Sequence, residues 1–129
     1  MPTRTMVPMP DIIDIAERYS AVWNEPDADL RSKIVTGLWA EDAVHTLENA
    51  VFRGRPAIEQ RVTDAYQQFV AAGGFVFRSV GSVLGHHNAV KLSWEMAPAA
   101  GGDPVATGFA FLLLDDNGLI QTDYQFTEA

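Results

Sequence analysis

Apolar residues in this chain recur first at helical and later at strand spacing, and the change of period outlines a fold. From residue 11 to 24, Ile12, Ile15, Ala16, Tyr19, Val22 and Trp23 return every three or four positions, one face of a helix capped by Asp11 after Pro10. Glu25 and Pro26 break it. Asp27 then caps a second helix, whose inner face is expected to be Leu30, Ile34, Val35, Leu38 and Trp39. Residues 43–48 and 51–53 read as two short strands around Asn49. A third helix starts at Gly54 and Pro56 and runs to about residue 72, with Ile58, Val62, Tyr66, Phe69 and Val70 on its inner stripe. Gly73 and Gly74 stop it.

The rest of the chain reads as strand: 75–84, 88–97, 105–114 and 119–126. Residues 85–88 and the pair Asn117-Gly118 are compact hairpin signals, and residues 98–104 form a longer loop. The order α-α-β-β-α-β-β-β-β predicts an α+β fold in which a curved sheet wraps around three helices as a cone and encloses a pocket. Tyr19, Trp23, Trp39, Phe52, Phe77 and Trp94 fall on faces that should point into it.

Composition narrows what such a pocket could serve. At 129 residues the chain makes one domain, expected over 11–129 behind a flexible arm at 1–10. A net charge of -8 repels phosphate backbones and anionic lipid surfaces, which argues against nucleic-acid and membrane partners. No run approaches membrane-spanning length and residues 1–10 lack the apolar stretch of a secretory signal, so the expected compartment is the cytoplasm. Without cysteine, chemistry is left to carboxylates, histidines, hydroxyls and amides.

Four segments, read with the order of elements, carry a resemblance. They are Tyr19-x-x-x-Trp23-Asn24-Glu25, Leu38-Trp39-Ala40-Glu41-Asp42-Ala43-Val44, Phe52-Arg53-Gly54-Arg55-Pro56-Ala57-Ile58 and Asp115-Asp116-Asn117-Gly118-Leu119-Ile120. Over residues 12–128 the chain resembles the nuclear transport factor 2-like superfamily, specifically its SnoaL-like, polyketide cyclase-like branch. The resemblance implies a strongly bent, mostly antiparallel sheet around the helices, and dimerisation through the sheet's outer surface. It implies no single activity, because members include isomerases, cyclases, hydrolases, carriers and inactive scaffolds.

Three residues are candidates for chemistry. His45 shares a strand face with Ala43 and Leu47, so if that face lines the cone the imidazole can shuttle protons or hydrogen-bond a ligand; the alternative is a core histidine satisfied by a neighbour. The isomerase-like members would place their general-base aspartate at or beside Leu47, and leucine accepts no proton, so that mechanism is not carried over. Tyr19 matches their tyrosine donor and would orient a substrate. Asp123 falls where cyclase-like and hydrolase-like members put an acid or base. Strict alternation with Ile120, Thr122 and Tyr124 inward would turn Asp123 outward, and only a β-bulge or the opposite assignment of faces brings it in.

Trp23, Trp39, Leu47, Phe52, Phe77 and Trp94 are candidate ligand contacts, Trp94 through its place beside Val90, Leu92 and Met96. The pair His86-His87 lacks further ligands at metal spacing, so no metal and no cofactor is expected. Arg53 and Arg55 are expected in surface salt bridges. Phe109, Phe111 and Leu113 alternate with Gly108, Ala110 and Leu112, leaving a central strand apolar on both faces and predicting a homodimer through the outer one. The expected function is a pocket for a small hydrophobic or polycyclic molecule, with cofactor-free proton transfer of the cyclase, isomerase or hydrolase kind; the alternatives are ligand binding without chemistry and a dimeric scaffold with a filled pocket.

Overall fold

A computed structural model describes residues 11–128; the arm expected at 1–10 lies outside the described residues. Three helices, α1 (Ile12–Val22), α2 (Ala28–Leu38) and α3 (Arg55–Ala65), accompany six strands: β1 (Trp39–Leu47), β2 (Ala50–Arg53), β3 (Phe75–His86), β4 (Ala89–Pro98), β5 (Ala106–Leu114) and β6 (Ile120–Thr127). The strands form one sheet in the order β2-β1-β6-β5-β4-β3, antiparallel throughout except for the parallel pair β1 and β6. Among the described residues no helix is long and apolar enough to cross a membrane.

Local chemistry fixes the helix starts. The Asp11 carboxylate accepts from the backbone N–H groups of Ile13 and Asp14, both at 3.1 Å, and Asp27 accepts from Asp29 and Leu30 at 2.9 and 3.2 Å. α1 packs on β3, and α3 on β1 and β2. At the end of α1 the Asn24 side chain behaves like a strand residue, donating to the Phe77 carbonyl at 2.7 Å and accepting from the Phe77 N–H at 2.8 Å. That double bond holds Trp23 and Phe77 together, 6.4 Å between ring centroids.

The expectations need correction at several positions. Trp39 does not continue α2, because its backbone is already extended (φ -102°, ψ 141°) and it opens β1. Leu30 is 45% exposed, and Arg31 turns inward in its place with its guanidinium 4.8 Å above the Tyr66 ring; the head is buried, Nε and Nη1 have no hydrogen-bond partner among the described residues, and the ring face is what meets the charge. α3 gives way at Tyr66 to a π-helical segment, Tyr66–Ala71, whose wider turn brings Phe69 to 6.2 Å from Phe77. Gly74 follows with φ +73°, a left-handed conformation that costs glycine nothing. Arg55 makes no ion pair among the described residues and instead donates to the Trp39 carbonyl at 3.0 and 3.2 Å.

The most consequential irregularity is in β6. Leu113 pairs with Thr122 and Leu114 with Ile120, so Gln121 is one extra residue, a bulge. It reverses the alternation. Ile120 faces the core, and after the bulge Asp123 and Gln125 face inward while Tyr124 and Phe126 lie exposed outside. The inward placement of Thr122 and Tyr124 expected from strict alternation is therefore wrong.

Candidate active site

Pairing of β1 with β6 puts His45 directly beside Asp123 on the inner face of the sheet. Both are fully buried. His45 Nδ1 lies 2.6 Å from Asp123 Oδ2, the Tyr19 hydroxyl donates to the same oxygen at 2.9 Å, and the Trp39 indole N–H donates to Oδ1 at 2.9 Å. An indole N–H can only donate and an ionised carboxylate can only accept, so the carboxylate is the natural centre of this cluster. A hydrogen on Nδ1 leaves Nε2 of a neutral His45 as the free lone pair, and Nε2 has no hydrogen-bond partner among the described residues.

Tyr19 connects this cluster to a cavity of about 380 Å³, within the range of small-molecule sites. Its walls include Tyr19, Trp23, Leu47, Phe77, Trp94 and Arg61. Gln125 extends the chain of contacts, donating to the Tyr19 oxygen at 3.4 Å and accepting from Arg61 at 3.5 Å. Burial, then the charge of Asp123 and the hydrogen bond to it, hold the Tyr19 phenol well above its ordinary value of 10.0, against a weaker downward pull from Gln125 and Arg61. Tyr19 is thus a neutral hydroxyl at working pH and serves as a donor or relay, not as a stored phenolate. Burial also lowers the affinity of Arg61 for its proton, opposed by the nearby Tyr19, Asp123 and Asp64.

Of the residues expected at the site, Tyr19, Trp23, Leu47, Phe77 and Trp94 do line the cavity. His45 and Asp123 come together but lie behind its wall. Trp39 and Phe52 are corrections: Trp39 is buried and spent on Asp123, and Phe52 packs against His45 at 5.8 Å, so neither is on the cavity wall. Trp94 leaves the cavity open rather than plugging it. Sequence reasoning missed Arg61, Ser20 and Gln125. The first two were within reach, since Arg61 lies three residues after Ile58 on the inner side of α3 and Ser20 lies between Ala16 and Trp23 on that of α1; Gln125 was hidden by the bulge. Among the described residues no group of three metal-binding side chains occurs.

A curved sheet wrapped around helices as a cone, with a buried carboxylate and imidazole beside a cavity, is the fold of the nuclear transport factor 2-like kind. The chain belongs to the SnoaL-like family. It is 30% identical to a proposed isomerase of that family from Agrobacterium tumefaciens strain C58, over 94% of this chain and 100% of that one, with a TM-score of 0.84. It shares its fold with a proposed polyketide cyclase from Sinorhizobium meliloti (22% identity, TM-score 0.65, covering 91% of this chain and 94% of that one). A nuclear transport factor 2-like protein of unknown function from Exiguobacterium sp. 255-15 also has this fold (16% identity, TM-score 0.67, covering 91% and 98%). No protein-family model and no curated protein matches the chain.

Proposed function

We propose that the protein is a proton-transfer enzyme of the cyclase, isomerase or hydrolase kind, acting without a cofactor on a small hydrophobic or polycyclic substrate. The observation that carries this reading is the buried Asp123 carboxylate, held by Tyr19, Trp39 and His45, with only Tyr19 reaching the cavity. In the reaction, a substrate C–H or O–H bond breaks as its proton passes to the Tyr19 oxygen, and the proton of Tyr19 passes to Asp123. The negative charge moves from Asp123 to the substrate, and His45, whose Nδ1–H donates to the same carboxylate oxygen, holds the carboxylate in place to receive the proton and return it. Reversal at another atom of the substrate completes an isomerisation; attack of the resulting enolate on a second carbonyl completes a cyclisation.

Exchange of substrate hydrogen for solvent deuterium in enolisable polycyclic ketones, followed by NMR, tests this. His45→Ala should slow exchange about 100-fold or more while ligand quenching of tryptophan fluorescence persists. Because His45 bonds to a buried carboxylate, its truncation also costs roughly 1 to 3 kcal/mol whether or not it transfers protons, so exchange is the deciding readout. Unchanged exchange in a folded His45→Ala variant makes His45 structural. A carrier without chemistry is the second reading, favoured by the complete burial of His45 and Asp123; quenching by such ligands with no exchange in the unaltered protein would establish it.

We also propose a homodimer through the outer sheet face. Phe109 and Phe126 stack there at 4.6 Å, Lys91 Nζ lies 4.7 Å from the Phe109 ring, and Tyr124 and Phe126 are each 40% exposed. Such a surface gains by pairing with its own copy. Sedimentation at micromolar concentration should give twice the chain mass, and Phe126→Glu should shift it to the monomer. Monomer alone in the unaltered protein rejects the interface.

A further inference from the structure

The polar groups around the cavity have one sign in common. Ser20 Oγ, Trp23 Nε1, Arg61 Nε and Trp94 Nε1 are all buried, all belong to residues lining the cavity, and none has a hydrogen-bond partner among the described residues. Three of the four can only donate, and the serine hydroxyl can donate as well. Buried donors without acceptors are expensive, and although Arg31 carries two of them away from the cavity, four of the seven such atoms among the described residues belong to its wall. Ser20 and Trp23 retain only 8% and 4% of their exposure, so bulk water does not satisfy them freely.

Arg61 adds a charge to this pattern. It forms no ion pair among the described residues, its one side-chain acceptor being Gln125 at a long 3.5 Å. Its guanidinium lies 5.3 Å above the Trp23 ring and 5.8 Å from Phe52, which fixes it over the aromatic wall. The negative groups nearest in effect, Asp123 and Asp64, act through space: Asp123 is taken by other donors and Asp64 accepts from Gln60. Glu48 stands exposed at the rim and, with the net charge of -8, opposes anions in general. Any preference for an anion must therefore come from Arg61 and the donors around it.

We propose that the ligand is a planar aromatic molecule bearing an oxyanion of the carboxylate type, paired with Arg61 and supplied with further hydrogen bonds by Ser20, Trp23 and Trp94. The flat body lies against the continuous wall that Trp23, Phe77 and Trp94 form, and the charged end lies at Arg61. This rests on the reading that the cavity is the substrate site, and it names the substrate class. In a proton-transfer reaction the same cation stabilises the charge that leaves Asp123.

Naphthalene-2-carboxylate and its neutral carboxamide, which share shape and differ in charge, test the proposal by tryptophan fluorescence. The carboxylate should bind the unaltered protein about 10-fold or more tightly than the amide, the worth of one charge-assisted hydrogen bond. Arg61→Gln should abolish that preference while leaving the amide's affinity unchanged. Equal affinities in the unaltered protein overturn the oxyanion assignment and leave the cavity as a ligand site. Absence of binding by both compounds overturns the cavity reading and the assignment with it. Since the first comparison uses the unaltered protein, it holds even if Arg61→Gln fails to fold.

Discussion

Asp123→Ala should lower the stability of the fold by about 3 to 5 kcal/mol, measured as a shift in the urea midpoint, because it strips the shared acceptor from a fully buried cluster. Tyr19, Trp39 and His45 would all lose their partner at once. Trp39 and His45 cannot turn to water without opening the core, and only Tyr19 has the cavity beside it. A loss below about 1 kcal/mol would mean that the cluster relaxes easily and is not the centre of the site. Asp123→Asn separates chemistry from packing. The amide keeps the shape and still accepts from Trp39, but its NH₂ can donate to His45 Nδ1, which moves the imidazole hydrogen to Nε2. Proton transfer should then fall on the order of 10³ to 10⁴-fold, as when the carboxylate of a serine-protease triad is replaced by an amide, with a smaller loss of stability than the alanine variant.

A second large effect is expected at a residue with no functional group. Gly108 pairs with Trp94 on β4 and Thr127 on β6. A Cβ there would collide with the Phe126 carbonyl oxygen and sit 2.6 and 2.8 Å from the Trp94 indole. Moving Trp94 relieves only the second of these contacts; the first is with backbone, so the β5–β6 ladder must give as well, and Trp94 is pushed from its place on the cavity wall. Gly108→Ala should therefore cost about 2 to 3 kcal/mol by overpacking and block ligand quenching as the indole fills the pocket. A folded Gly108→Ala variant that binds as the unaltered protein does would show that Trp94 has room elsewhere.

The fold was legible because its elements keep their periods: the helical faces of α1 and α3 and the four late strands need only intervals of three, four and two. Trp39 was misread because it continues the α2 spacing, and nothing in the side chains says that the backbone turns extended there. That His45 and Asp123 exchange protons was expected from the sequence, but the contact that joins them was out of reach for a different reason. It depends on the parallel pairing of β1 with β6, a contact between segments 78 residues apart, and on a bulge that leaves no mark in composition. Arg61 was legible by spacing but not by habit, since a cation on an inner face is usually read as a stem with a solvated head.

The bulge at Gln121 makes the character of the cavity a matter of backbone register. A chain one residue shorter at this point could pair regularly, Leu114 with Ile120, Leu113 with Thr122 and Leu112 with Asp123, and would still hold Asp123 and Gln125 inside. A chain of this length running through without the bulge would turn Tyr124 and Phe126 inward and carry Asp123 and Gln125 to the outside. It would exchange a carboxylate-backed site for an aromatic plug, and a greasy outer face for a polar one. Among related chains, a single gap between the positions of Ile120 and Thr122 would then leave the carboxylate inside, and loss of the bulge at equal length is what would separate a carboxylate-backed cone from one that fills itself, even where every aligned side chain agrees.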